Sequence, residues 1–290
     1  MESIPRGEPV ARLIAAIVVV LTLPAALSAQ KPKPPRASKS AATTRPVVAA
    51  SLLPTVDSLT AISRRGHAIA QYDRAAWLAT GAMTLPSSYQ NSIRKLISRQ
   101  TPTGWEVALG ELTESGSEFR VSMIATPGMQ TTWASRVFDP PLADTGYFAR
   151  AARAIETALV MFHPAARRPY IATAIPAEDG PWWWVYVYPS PLQEGVWPRG
   201  GDMRFRVSAD GRVITESRRL HDEITEYSVR SARMTAVTAD GVSILKGNVP
   251  EDTDVFHILQ RRPALPELLT AGKHRYRIDV DGRITMLSRQ

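Results

Sequence analysis

The chain of 290 residues contains no cysteine. That excludes disulfides, thiolate nucleophiles, cysteine-ligated zinc and an acylated lipoprotein cysteine. It also lacks the G-x-x-x-x-G-K-[ST] phosphate loop, the G-x-G-x-x-G dinucleotide fingerprint, the G-x-S-x-G elbow and the H-E-x-x-H zinc motif. The usual local signatures of nucleotide binding, serine hydrolysis and zinc hydrolysis are therefore missing. Histidine is scarce: His67, His163, His221, His257 and His274 are the five, and they are scattered.

Long apolar runs are also rare. "LIAAIVVVLTL" (13–23) is one, with eleven residues. It is shorter than the roughly twenty that span a bilayer. Arg6 and Arg12 form a basic start, Pro24 ends the run, and "ALSAQ" (26–30) offers small residues for cleavage after Ala29. Residues 1–29 read as a secretory signal peptide, so the expected location is periplasmic or secreted. An exported chain without disulfides must be held by its core, and the remaining length is ample for one core or two small ones.

The formal net charge is +8, but it is unevenly placed. Residues 30–46 hold five basic residues and no acid, within a Pro/Ser/Ala-rich linker over 30–50. That composition predicts a disordered spacer. The chain beyond it carries 28 basic and 25 acidic residues, so no specific nucleic-acid partner is expected. Membrane contact is expected only transiently, through the signal peptide or the basic linker.

Apolar periodicity predicts a helix over 55–80, with Leu59, Ile62, Ile69, Tyr72 and Ala76 on one stripe and Asp57 or Ser58 as the cap. Gly66 weakens it slightly. A second helix is expected over 144–162, capped by Asp144 and followed by Pro164. A third is expected within 250–263, acidic at its start and basic at its end, which suits the helix macrodipole. Helix capping explains "EDTD" (251–254) better than a calcium loop does, because the alternating ligands and the glycine are absent.

Between the helices the sequence alternates. Residues 104–126 predict a hairpin about Ser-Gly-Ser, with Trp105, Val107 and Leu109 on one face and Phe119, Val121, Met123 and Ala125 on one face of the partner. Residues 131–138 extend that sheet. Asp210-Gly211, Asp240-Gly241 and Asp281-Gly282 read as tight turns. "RFRVSADGRVIT" (204–215) and "RYRIDVDGRIT" (275–285) resemble one another, and recurring hairpin chemistry explains this better than duplication. The expected fold is α+β: antiparallel sheets built from hairpins, with about three packing helices. The globular region is 51–290, as one unit or as subdomains near 51–163 and 164–290.

"PWWWVYVYPS" (181–190) packs three tryptophans and two tyrosines into ten residues. On a strand, Trp183, Val185 and Val187 face one way, and Trp182, Trp184, Tyr186 and Tyr188 the other. The second row fits packing beneath a helix, and it also fits a platform for a glycan or extended peptide. Trp197 and Arg199 in the following loop would rim such a groove. "LHDEITEY" (220–227) mixes an imidazole with carboxylates. On a strand, His221 and Glu223 share a face, and a metal would need further ligands such as His257. Glu226 joins His221 and Glu223 as a candidate catalytic group. A charged edge strand explains the same residues without chemistry.

"YDRAAW" (72–77), "WVYVYP" (184–189), "GGDMRFRVSADGRV" (200–213) and "PEDTDVF" (250–256) together resemble a family of uncharacterised exported bacterial proteins. The resemblance implies export and an α+β domain, with no activity attached. Pro250 and Asp254 are also similar in spacing to the Pro-Ser-x-x-Asp element of JAB/MPN metalloproteases. Glu251 stands where that family has serine, and no His-x-His precedes it in 243–248. The resemblance implies at most a degenerate, non-catalytic relative.

The leading expectation is a non-catalytic envelope module, needing no cofactor, that binds an envelope partner, glycan or peptide. One alternative is a metal-dependent or other hydrolase centred on His221, Glu223 and Glu226. Another is a structural envelope protein with no small ligand.

Overall fold

In a computed structural model of the protein, the described residues are 55–84, 95–129, 132–228 and 249–289. The signal peptide and linker expected over 1–50, and the Asp240-Gly241 turn, lie outside them. In chain order the elements are α1 (Val56–Thr80), β1 (Lys95–Thr101), β2 (Gly104–Leu112), β3 (Phe119–Pro127), β4 (Trp133–Asp144), α2 (Tyr147–Met161), β5 (Tyr170–Pro176), β6 (Trp182–Pro189), β7 (Val196–Gly200), β8 (Met203–Ser208), β9 (Ile214–Arg219), β10 (Ile224–Ser228), α3 (Asp252–Gln260), β11 (Glu267–Ala271), β12 (His274–Ile278) and β13 (Ile284–Arg289). The fold is α+β. Its antiparallel sheets run β1-β2-β3-β4, β5-β6-β8-β9, β7-β10 and β11-β12-β13. Among the described residues no helix is long and apolar enough to cross a membrane.

Other elements pack on both faces of the β5-β6-β8-β9 sheet. On one, Trp183, Val185, Val187 and Phe205 pack with the alanine-rich side of α2 and with Ile97, Ala108, Phe119 and Val121 of the first sheet. On the other, Trp184, Tyr186 and Tyr188 pack with Ile69 and Tyr72 of α1 and Phe256 of α3. A third cluster joins Leu59 and Ile62 of α1 to Val255 and Ile258 of α3 and to Leu269, Tyr276 and Ile278 of the last sheet. The first two clusters draw residues from both sides of position 163, so the apolar interior is shared between the two halves of the chain.

The helices form where their apolar stripes predict, but their caps differ. Thr55, rather than Asp57 or Ser58, caps α1: its Oγ1 accepts from the Ser58 N–H at 3.1 Å. Asp144 lies two residues before the Gly146 N-cap, and its Oδ1 still accepts from the Ala149 N–H at 3.0 Å. The α3 start carries a reciprocal capping box between Glu251 and Asp254.

The single-face assignment for β3 needs correction. Phe119 and Val121 join the α2 side, whereas Ala125 joins Ala75 and Ala79 of α1. Met123 pairs with Leu109 of β2 and Val121 with the adjacent Gly110, so Ser122 is one extra residue in β3, and it moves every later side chain to the opposite face.

The two similar hairpins share one turn. Gly211 and Gly282 have φ of 80° and 79°, and the N–H of each donates at 2.8 Å to the carbonyl of Ser208 or Asp279 respectively. Each turn is held by a helix through side chains four residues apart. Arg153 Nε and Thr157 Oγ1 of α2 donate to Asp210 O and Gly211 O, both at 2.8 Å. On α1, His67 Nε2 bonds Asp281 O at 2.7 Å and Ser63 Oγ donates to Gly282 O at 2.8 Å. The order along the helix is reversed between the two, so the helices run in opposite senses past the same turn. That favours reuse of a good turn over duplication of a unit.

Candidate functional site

The chemistry-bearing side chains converge on the N-terminus of α3. Glu251, Asp252 and Asp254 are all buried, and each is met by cations from other elements. Glu251 pairs with Arg218 of β9. Asp252 Oδ1 accepts from Arg65 of α1 (Nε 3.0 Å, Nη2 2.9 Å). Its Oδ2 accepts from Arg204 Nη1 of β8 at 2.7 Å and from the Tyr186 hydroxyl of β6 at 2.8 Å. Arg204 also reaches Glu216 of β9 at 3.2 Å.

Asp254 completes the hub. Its Oδ1 accepts from Arg199 of β7 (Nε 3.0 Å, Nη2 2.6 Å), while Oδ2 accepts from the Glu251 N–H at 2.8 Å. His221 bridges this carboxylate to another. Its Nδ1 is 2.8 Å from Asp202 Oδ1, and its Nε2 is 3.2 Å from Asp254 Oδ1 without good hydrogen-bond alignment. Arg199 continues to Glu267 of β11, whose other oxygen accepts from Arg261 Nη1 at 2.6 Å. Three cations (His221, Arg199, Arg261) thus face three carboxylates (Asp202, Asp254, Glu267), with no side chain more than 12% exposed. Charges are tolerated at such depth only when paired and hydrogen-bonded.

The ionisation states follow from this geometry. Burial by itself would discharge His221, but Asp254 and Asp202 outweigh it and push its pKa up to about 11. Burial opposes ionisation of Asp254 too, yet Arg199 and the His221 imidazolium hold it well below the usual carboxylate range. Glu251 goes the other way: burial first, then the Asp252 and Asp254 charges, raise it to about 7 against the pull of Arg218. His257 is driven well below its ordinary value by burial and then by Arg199 and Arg261, so it is neutral. Its ring donates to the Pro198 carbonyl, and its Nδ1 has no partner.

This arrangement does not bring the expected site residues together. His221 is buried, whereas Glu223 and Glu226 are exposed, and Glu226 pairs with Arg168 at 3.1 Å. The partners of His221 are Asp202 and Asp254. His257 lies edge-on to Tyr227, 6.0 Å between ring centroids. Among the described residues no group of three or more His, Cys, Asp or Glu side chains is placed to hold a metal ion.

The aromatic row divides along its length. Tyr186 and Tyr188 are 1% and 4% exposed, and their hydroxyls are committed: Tyr186 to Asp252, Tyr188 to Asp73 Oδ1 at 2.8 Å. They are walls of the charged layer rather than a surface, because α1 and α3 cover that half of the strand. Trp182 and Trp184 are half-buried and stacked by arginine. The Arg206 guanidinium lies 3.7 Å from the centre of the Trp182 ring, and Arg204 lies 4.7 Å from that of Trp184. Trp197 stands beside Tyr227 across the β7–β10 pair, 6.2 Å between centroids. Arg199 serves Asp254 and Glu267 rather than a rim.

Asp202, Arg204, Arg218, Asp252, Glu267 and Arg261 were absent from the sequence-based candidates. One usable signal was the alternation Arg204-x-Arg206 in β8, beside an aromatic strand and complementary to the acids of "EDTD". Asp254, which carried the metalloprotease resemblance, is spent on Arg199 and His221. No family model matches the chain, and no curated protein or solved structure matches it.

Proposed function

We propose that the protein is an exported, non-catalytic module that binds an envelope partner through the arginine-stacked end of the aromatic row. Export rests on the leader over 1–29. Binding rests chiefly on one observation: the Arg206 guanidinium sits over the Trp182 ring, 3.7 Å from its centre, and has no carboxylate partner among the described residues. A guanidinium fixed by stacking keeps its in-plane N–H groups available, which suits a carboxylate or phosphate on a glycan or peptide. Trp182 and Trp184 supply flat apolar contact beside it. The non-catalytic reading is supported by the charge cluster, whose acids and bases satisfy one another out of solvent.

Two experiments test this. Hydroxyl-radical footprinting of the folded chain should label Trp182 and Trp184 and spare Trp183, Tyr186 and Tyr188. Co-sedimentation with purified peptidoglycan, and titration with acidic peptides, should show binding that Trp182→Ala and Arg206→Ala weaken without changing Tm. Undiminished binding in both variants would refute the assignment of this surface. Any hydrolytic activity abolished by His221→Ala in a still-folded protein would favour the hydrolase reading instead.

A further inference from the structure

A hollow of about 430 Å³ opens between the β2–β3 turn, α2 and the β8–β9 turn, away from the aromatic strand face. Its walls are tied together rather than merely adjacent. Arg153 Nη1 donates to Gly116 O in the first turn, and Arg153 Nε and Thr157 Oγ1 hold the second turn at Asp210 and Gly211. A site built this way is preorganised, which lowers the cost of binding.

The hollow also holds arginines that no carboxylate among the described residues closes into an ion pair. Arg153 and Arg212 both line it, and Arg150 stands one helical turn from Arg153. None of the three has a carboxylate within ion-pair distance among the described residues. Arg153 is pulled below its ordinary pKa by partial burial and then by repulsion from Arg212, with Asp210 opposing this and Arg150 adding to it. Clustered arginines of this kind are relieved by an anion. The lining is not purely basic, however. Thr113 and Ser115 contribute hydroxyls, and Glu114 and Glu156 contribute carboxylates, with Glu156 also paired to Lys95. The Thr113 and Ser115 hydroxyls already bond each other and their own turn, which leaves the Glu114 carboxylate to accept from a ligand hydroxyl.

We propose that this hollow binds a small polyhydroxylated anion, a sugar acid or a sugar phosphate, with its charged group between Arg153 and Arg212 and its hydroxyls toward Glu114. The volume lies within the range of small-molecule sites, and it accommodates a single sugar. This site is independent of the Trp182 surface.

The test is calorimetric titration of the full chain with glucuronate, glucose 6-phosphate, glucose and inorganic phosphate. The wild type is compared with Arg212→Gln and with Trp182→Ala. Arg212 is chosen because Arg153 also braces the two turns. Saturable binding of glucuronate or glucose 6-phosphate is expected, at least about ten-fold weaker in Arg212→Gln and unchanged in Trp182→Ala. Preference for one of the two identifies the charged group as carboxylate or phosphate. The proposal is overturned if neither saturates, if Arg212→Gln binds as well as wild type, or if glucose or inorganic phosphate binds equally tightly.

Discussion

Raising the pH should weaken the protein measurably before any tyrosine titrates. His221 has a folded pKa of about 11 against an ordinary value of 6.5. A base with a raised folded pKa contributes stability that is complete below the unfolded value and is lost as pH rises toward the folded one. Between pH 7.5 and 9 the folded state keeps the His221 proton and the unfolded state has largely lost it. One proton's difference is worth about 1.4 kcal/mol per pH unit, so stability should fall by about 2 kcal/mol over that window. The buried tyrosines lie outside it, since their unfolded forms ionise near 10. The assay is urea unfolding at half-unit pH steps, reading the midpoint at constant slope. In His221→Gln, if folded, the slope should vanish. A flat wild-type profile between pH 7.5 and 9, or an unchanged slope in the variant, would show that the imidazole does not hold its proton between Asp202 and Asp254.

The acid side has the opposite sign for His257: its folded pKa is depressed, so the unfolded state gains a proton below about 6.5 and stability falls with acidification. Glu251, raised to about 7, opposes that change between its ordinary 4.5 and 7, so the profile there should be shallow. It should steepen again below the ordinary carboxylate range, where the unfolded chain protonates Asp254 and the folded chain does not. Asp254→Ala should cost about 3–5 kcal/mol in chemical denaturation, because it strands the Arg199 and His221 charges. Gly66→Ala should destabilise by about 1–2 kcal/mol despite its better helix propensity. A Cβ there would lie 2.5 Å from Val255 Cβ and 2.7 Å from Asp252 O, where α1 crosses α3; an unchanged or higher Tm would refute this. Tyr188→Phe should lose about 1–3 kcal/mol by leaving the half-buried Asp73 carboxylate short of a donor, and thermal unfolding checks it.

What could be read from the sequence was what depends on neighbours along the chain. The stripes of α1 and α2, the alternation of β6 and the Asp210-Gly211 and Asp281-Gly282 turns are local patterns, and they appear where expected. The division of β6 into Trp183, Val185, Val187 and Trp182, Trp184, Tyr186, Tyr188 was likewise legible from its period of two. The fate of the second row was not, because coverage of Tyr186 and Tyr188 depends on α1 and α3, more than a hundred and more than sixty residues away. Gly66 looked like a mild weakness; its reason is Val255, 189 residues on. "EDTD" was rightly read as a cap. A cap can also be a hub, though, and one-dimensional spacing cannot show that Arg65, Arg199, Arg204, Arg218 and His221 all arrive at it. The grouping of His221 with Glu223 and Glu226 assumed that near neighbours share a site; the chain turns between them and leaves both glutamates exposed.

The proposed non-catalytic role rests on the charge cluster at the start of α3 being a closed part of the core. Diethyl pyrocarbonate labelling, read histidine by histidine by mass spectrometry, tests it most directly, since the reagent needs an accessible neutral imidazole. His163, which is exposed, provides the internal control. At neutral pH His163 should react promptly, whereas His221 and His257 should stay unmodified until the protein unfolds. Rapid modification of His221 in the folded protein would contradict the account and reopen the case for an active site at that residue.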